Sequence, residues 1–164
     1  MLNRIWNLFI GNKNLEDLAP ELLKTIAETY KWQWAVYWRV DPRTKVLSAA
    51  KIWKTPSLQA AELEAETTKL SLASGEGLLG RAWSLGQVVW SDDPAMDMGY
   101  PRSQKARAAG FNRGVWIPVQ SPTASYGVLE FLITGPEERH EVFIEELEWL
   151  GRELARLCEE ARGN

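Results

Sequence analysis

Histidine and cysteine each occur once in this chain of 164 residues, and that scarcity excludes more chemistry than any motif supplies. A protein zinc site draws three or four ligands from Cys, His and carboxylates. Here His140 stands in the polar run Pro136-Glu-Glu-Arg-His-Glu141, and Cys158 lies about five helical turns beyond it. The two are too far apart to share a metal or to form a nucleophile–base pair, and haem ligation would rest on His140 alone. One cysteine allows no internal disulfide, which fits a reducing, cytoplasmic compartment. No apolar run approaches the ~20 residues that a membrane span needs. Asn3, Arg4 and Asn7 break the apolar stretch at the start of the chain, so it does not read as a signal peptide. Basic excess is missing too: 19 Lys and Arg face 22 Asp and Glu, for a net charge of −3. Neither nucleic acid nor an anionic membrane is an expected partner. The one local cationic cluster is Arg102, Lys105 and Arg107, with Arg113 nearby.

What is present suits a single domain with one sizeable core, since 45% of the residues are apolar. Gly75, Gly77 and Gly80 satisfy the dinucleotide-binding spacing G-x-G-x-x-G. That fingerprint requires a buried parallel strand before it, and residues 58–70 read instead as a polar helix, leaving only Ser71 to Ser74 for a strand. Arg81-Ala82 after Gly80 also fails the Lys-Ser/Thr requirement of a P-loop. These glycines therefore read as a turn.

Residues 15–30 carry Leu15, Leu18, Leu22, Leu23, Ile26 and Tyr30, the stripe of an amphipathic helix, with Asn14 as its N-cap. The period then changes to two: Trp32, Trp34, Val36, Trp38 and Val40 alternate with more polar residues, as in a strand. Asp41-Pro42-Arg43-Thr44 is a turn, and Val46 to Trp53 a second strand. A short helix over 78–85 ends at Gly86, and Val88 to Trp90 is a short strand closed by Ser91-Asp92-Asp93-Pro94. A helix near 103–109 stops at Gly110. Strands over 114–120 and 126–134 follow, and a long helix spans 136–161, with Phe143, Leu147, Leu150, Leu154 and Leu157 as a heptad seam. This order implies an α+β fold with one antiparallel sheet flanked by helices.

With those elements placed, the chain resembles a GAF domain, the PAS-related sensory module of histidine kinases, phosphodiesterases, phytochromes and diguanylate cyclases. The resemblance rests on Trp34-Ala-Val-Tyr-Trp-Arg-Val-Asp41, Gly75-Glu-Gly-Leu-Leu-Gly-Arg-Ala-Trp83 and Gly86-Gln-Val-Val-Trp-Ser-Asp92. Ala109-Gly-Phe-Asn-Arg-Gly-Val-Trp-Ile-Pro-Val119 and Gly127-Val-Leu-Glu-Phe131 complete it. It implies a central antiparallel sheet of five to six strands, a single domain over 14–162, and residues 1–13 as an apolar extension. It also implies a structural role for the glycine loop, as the turn into a helix that roofs a ligand cavity.

Several activities of the family lack their residues here. A covalent bilin is tethered through a cysteine, and Tyr100 to Ala109 holds none. Relatives that reduce methionine sulfoxide cycle several cysteines. The dispersed Asn-Lys-Phe-Asp-Glu signature of cyclic-nucleotide binders has only Phe143 and a loose Glu146. The chain is accordingly read as non-catalytic, without a cofactor. The resemblance places a candidate small-molecule pocket between the sheet and residues 78–111, lined by Trp83, Trp90, Ser91, Asp92, Tyr100, Phe111, Arg113, Trp116 and Glu130. Aromatic walls with few polar groups suit a small, partly apolar ligand, and Arg113 is a candidate partner for a carboxylate or phosphate. The alternative is a filled core without a ligand, in which Arg113 is solvated and Asp92 and Asp93 cap a turn.

Nine tryptophans are read mainly as core beneath the terminal helices, with Trp32, Trp34 and Trp38 on one sheet face, or Trp34 and Trp38 alone where Trp32 lies beyond the strand start, and a ligand-stacking cage as the alternative. Leu2, Ile5, Trp6, Phe9 and Ile10 are expected to pack against the last helix or a second subunit, with a membrane surface as the weaker alternative. The resemblance implies a homodimer through helices 15–30 and 136–161, coupled to an effector such as a histidine kinase or cyclase. The chain is either a stand-alone module or a piece whose last helix continues into an effector.

Overall fold

The computed structural model describes residues 1–11, 14–93, 102–135 and 141–163. Tyr100, His140, the turn at Pro94 and the expected helix start at Pro136 lie outside the described residues. Six strands form one antiparallel sheet in the order β3-β2-β1-β6-β5-β4. They are β1 (Trp34–Val40), β2 (Val46–Lys54), β3 (Ser71–Ala73), β4 (Val89–Ser91), β5 (Arg113–Gln120) and β6 (Ser125–Ile133). The helices are α1 (Leu2–Leu8), α2 (Leu15–Tyr30), α3 (Ala61–Lys69), α4 (Gly77–Leu85), α5 (Arg102–Ala108) and α6 (Glu141–Gly163). The architecture is α+β.

Period-two alternation divides the core between the two sheet faces. Ala35, Tyr37, Val115, Ile117, Leu129 and Phe131 face α1, α2 and α6, whereas Trp34, Val36, Trp38, Trp116, Val128 and Leu132 face α3, α4 and α5. Both faces are covered, so the centre of the sheet is apolar at consecutive positions. Trp32 does not join Trp34 and Trp38, contrary to the alternation in the sequence. It precedes β1, stacks on Tyr30 with ring centroids 4.6 Å apart, and belongs to the terminal-helix side. Trp34 and Trp38 lie beneath α3–α5 instead of the terminal helices.

The glycine loop is a turn. β3 pairs antiparallel with β2 at the sheet edge, which removes the parallel strand a dinucleotide site requires. Gly75 and Gly77 adopt φ of 86° and 62°, and a Cβ at Gly80 would stand 2.5 Å from the Ala73 carbonyl oxygen. The glycines let α4 fold back tightly on β3.

Asn14 caps α2 by accepting from the Asp17 amide at 2.9 Å. The seam residues Leu147, Leu150, Leu154 and Leu157 are buried in the chain's own core, so they do not form a free coiled-coil edge. Ile5 and Phe9 of the first segment join that core, while Leu2, Trp6 and Ile10 remain exposed. Among the described residues no helix is long and apolar enough to cross a membrane.

Candidate functional site

Glu130 interrupts the apolar run of β6 and points into the α3–α5 side, where it is 0% exposed. A carboxylate there needs partners, because an isolated buried charge costs several kcal/mol, on the order of the full desolvation penalty. The sheet supplies them by register: Val36 of β1 and Trp116 of β5 are the direct neighbours of Glu130, and Trp34 lies two residues before Val36. Trp116 donates its indole Nε1–H to Oε2 at 2.8 Å, and Trp34 donates to Oε1 at 3.2 Å. Arg102, at the start of α5 and 4% exposed, closes an ion pair on Oε1. Its Nε–H donates to Thr67 Oγ1 of α3 at 3.0 Å, and its guanidinium lies over the Trp38 ring, 5.2 Å from the centroid. Trp38 Nε1 is buried without a hydrogen-bond partner among the described residues.

Three strands and two helices therefore converge on one charge pair enclosed by tryptophans. Two exposed ion pairs also hold α5, Lys105–Glu62 at 3.1 Å and Arg107–Asp93 at 3.8 Å. Exposed pairs of this kind contribute about 0–1 kcal/mol, so Arg102 is the strong polar anchor of α5. A carboxylate engaged by three N–H donors is poorly placed to accept a substrate proton, but it can exchange one donor for another.

The candidate residues divide between several places. Phe111, Trp116 and Glu130 come together, with Phe111 6.3 Å from Trp34 between ring centroids. Trp83 packs at the margin of that cluster and also lines a separate cavity near the β1–β2 turn. Trp90, Asp92 and Arg113 form another group. Trp90 donates to Asp92 at 2.9 Å and meets Phe143 edge-on, while Arg113 pairs with Asp92 at 3.3 Å and donates to the Gly135 carbonyl. Trp90 packs against the terminal-helix core, across the sheet from Glu130. Ser91 accepts from the Asp93 amide at 3.2 Å. Tyr100 lies outside the described residues.

Sequence reasoning missed Arg102, Thr67 and the contacts that Trp34 and Trp38, read as core, make with the charge pair. Glu130 carried a signal, a lone charge in the apolar run Gly127-Val-Leu-Glu-Phe131. Arg102 was visible only as one of several clustered cations, and nothing local distinguishes it from Lys105 or Arg107.

A family model described as GAF domain matches residues 12–161. The chain belongs to the GAF family. GAF domains are sensory and regulatory modules of signalling proteins. Solved GAF structures share the fold at low identity. The GAF domain of a phosphoenolpyruvate-protein phosphotransferase from Acinetobacter is 18% identical, with a TM-score of 0.70 over 99% of this chain and 92% of that one. The free methionine-R-sulfoxide reductase of Neisseria meningitidis, solved with its substrate, is 19% identical, with a TM-score of 0.69 over 95% and 84%. A GAF domain/HD domain protein of Geobacter sulfurreducens is 14% identical, with a TM-score of 0.71 over 95% and 99%. No curated protein matches the sequence.

In this GAF domain Phe143 packs against Tyr30, Trp32 and Trp90, so the residue matched loosely to a cyclic-nucleotide signature does not share a face with Glu130. Cys158 is buried in α6, and burial pushes its thiol up to about 12. It is a neutral core residue at ordinary pH.

Proposed function

We propose that this GAF domain is a non-catalytic sensory module whose Glu130 face exchanges its own Arg102 for a small molecule. Its terminal helices would pass that event to a second copy and to an effector such as a histidine kinase or cyclase. The buried Arg102–Glu130 pair carries the reading. Apolar residues of similar volume often match or exceed a buried pair in stability, so stability alone does not call for charges here. Separating the pair leaves both charges needing partners, and a small zwitterion supplies both at once. The same separation frees α5, whose remaining ion pairs are exposed.

Support for a non-catalytic role comes from the engagement of each candidate group. Glu130 is engaged by three donors, Asp92 serves Trp90 and Arg113, and Cys158 is held as a thiol. Support for dimerisation comes from the outer side of α1 and α6, where Leu2, Trp6 and Trp149 are exposed. The apolar stripe of α2 is already buried in its own core, so the proposed dimer contact runs through α1 and the outer side of α6.

Native mass spectrometry tests both parts, followed by thermal unfolding against a panel of free amino acids. The expected result is a dimer of the 18.6 kDa chain and a rise in melting temperature with one of the zwitterions that Arg102→Ala abolishes. A dimer insensitive to the whole panel favours a second reading, a filled transmission module without a ligand. The engagement of both Glu130 oxygens by the chain's own donors is the observation on its side.

A further inference from the structure

A cavity lies away from Glu130, where the N-terminus of α2, the β1–β2 turn and the last turns of α6 meet, and it encloses about 620 Å³. Its charge is opposite to that of the chain. Arg39, Lys45 and Arg162 line it against a single carboxylate, Glu16, which pairs with Arg39 at 3.1 Å. Neither Lys45 nor Arg162 forms an ion pair among the described residues. The polar rim is fixed in place. Asp41 accepts from the Arg43 and Thr44 amides at 2.7 and 3.1 Å, and Lys45, at φ 57°, donates its own amide to the Asp41 carbonyl at 2.9 Å. Deeper in, Ser125 Oγ is buried without a hydrogen-bond partner among the described residues. The walls are aromatic: Trp83 lines one part, and the Tyr126 ring carries the Arg162 guanidinium 4.8 Å from its centroid.

We propose that this cavity binds a small organic anion that joins an aromatic ring system to a phosphate, sulfonate or carboxylate. The volume falls within the range of small-molecule sites, roughly 300–1,000 Å³. The anionic group meets Lys45 and Arg162, neither of which forms an ion pair among the described residues. The ring system packs on Trp83, whose face suits a planar partner, while the Arg162 guanidinium keeps its place over Tyr126. Such a ligand bridges the β1–β2 turn to the end of α6. The site rests on no part of the reading given for Glu130.

The probe is 1-anilinonaphthalene-8-sulfonate, with uncharged N-phenyl-1-naphthylamine as its neutral counterpart. Both are titrated by fluorescence into the full chain and into a Lys45→Ala/Arg162→Ala variant. Both substituted residues are exposed, and circular dichroism with thermal unfolding verifies that the variant folds. The expected result is saturable binding of the sulfonate, weakened at least about tenfold in the variant, the scale of one lost charge-assisted contact. The neutral dye should bind more weakly than the sulfonate and be unaffected by the substitutions. Equal sulfonate binding by both proteins overturns the proposal. Absence of saturable binding, or equal affinity for the neutral dye, overturns it as well.

Discussion

Glu130 shows how much one residue can impose on its neighbours. Its charge is tolerable inside the core only because two indoles and a guanidinium donate to it, so removing one partner leaves the other exposed to the full desolvation penalty. Glu130→Gln is expected to destabilise the fold by about 3–5 kcal/mol, measured by urea unfolding. Arg102→Met combined with Glu130→Gln should recover a large part of that loss, because it also removes the stranded cation. Two other buried groups govern the alkaline limb. Burial raises the Cys158 thiol to about 12 and raises the Tyr37 phenol, whose hydroxyl donates to the Tyr126 carbonyl at 2.8 Å. The unfolded chain would release these protons near 9.0 and 10.0, so above those values the folded state binds more protons than the unfolded one. Stability is therefore full below pH 9 and falls as pH climbs toward 12. The urea midpoint should decline over that window, and less steeply in Cys158→Ala.

At the scale of elements, α6 is seated by a missing side chain. A Cβ on Gly151 would stand 2.4 Å from the Pro118 carbonyl oxygen of β5, so Gly151→Ala must lift the helix from the sheet. A loss of about 1–3 kcal/mol is expected, as for other overpacked positions, read as a lowered melting temperature. The β1–β2 turn contributes on the acid side. Amide donation from Thr44 and Arg43 holds the Asp41 carboxyl below its ordinary value of 3.8. That contribution is present above pH 3.8 and disappears as pH falls through the lowered value. Asp41→Asn should flatten the acid limb of the stability profile without changing the alkaline one.

Over the whole molecule, most elements were legible because each carried a local signal: the stripe of α2 with its Asn14 cap, the alternation of β1, and Gly86 in the left-handed conformation after α4. Which way individual side chains face was less legible. Trp32 looked like the first rung of β1, yet the strand begins two residues later, and the left-handed Lys31 that ends α2 leaves Trp32 outside the alternation and in the opposite core. The α6 heptad looked like a partner-facing seam because apolar spacing alone cannot tell a helix facing its own sheet from one facing another subunit. The pocket residues drawn from one stretch separated for a related reason: Arg113 and Trp116 are three apart in one strand and so point to opposite faces. The outer side left exposed leads to a prediction at this scale. For the dimer proposed above, Trp6→Glu with Trp149→Glu should shift sedimentation toward monomer while leaving the melting profile of the subunit nearly unchanged.

The three tryptophans around Glu130 also give the protein a spectroscopic record of its own state. Trp34 and Trp116 point their indole N–H groups at a carboxylate, whereas that of Trp38 meets no acceptor among the described residues. In a proton–nitrogen correlation spectrum the first two signals belong downfield, with the third apart from them. A molecule that reaches Glu130 from anywhere in solution must perturb those resonances before any output is measured. Binding of the ligand proposed for the Glu130 face can therefore be followed without a dye or an effector, and apart from binding in the cavity at the β1–β2 turn.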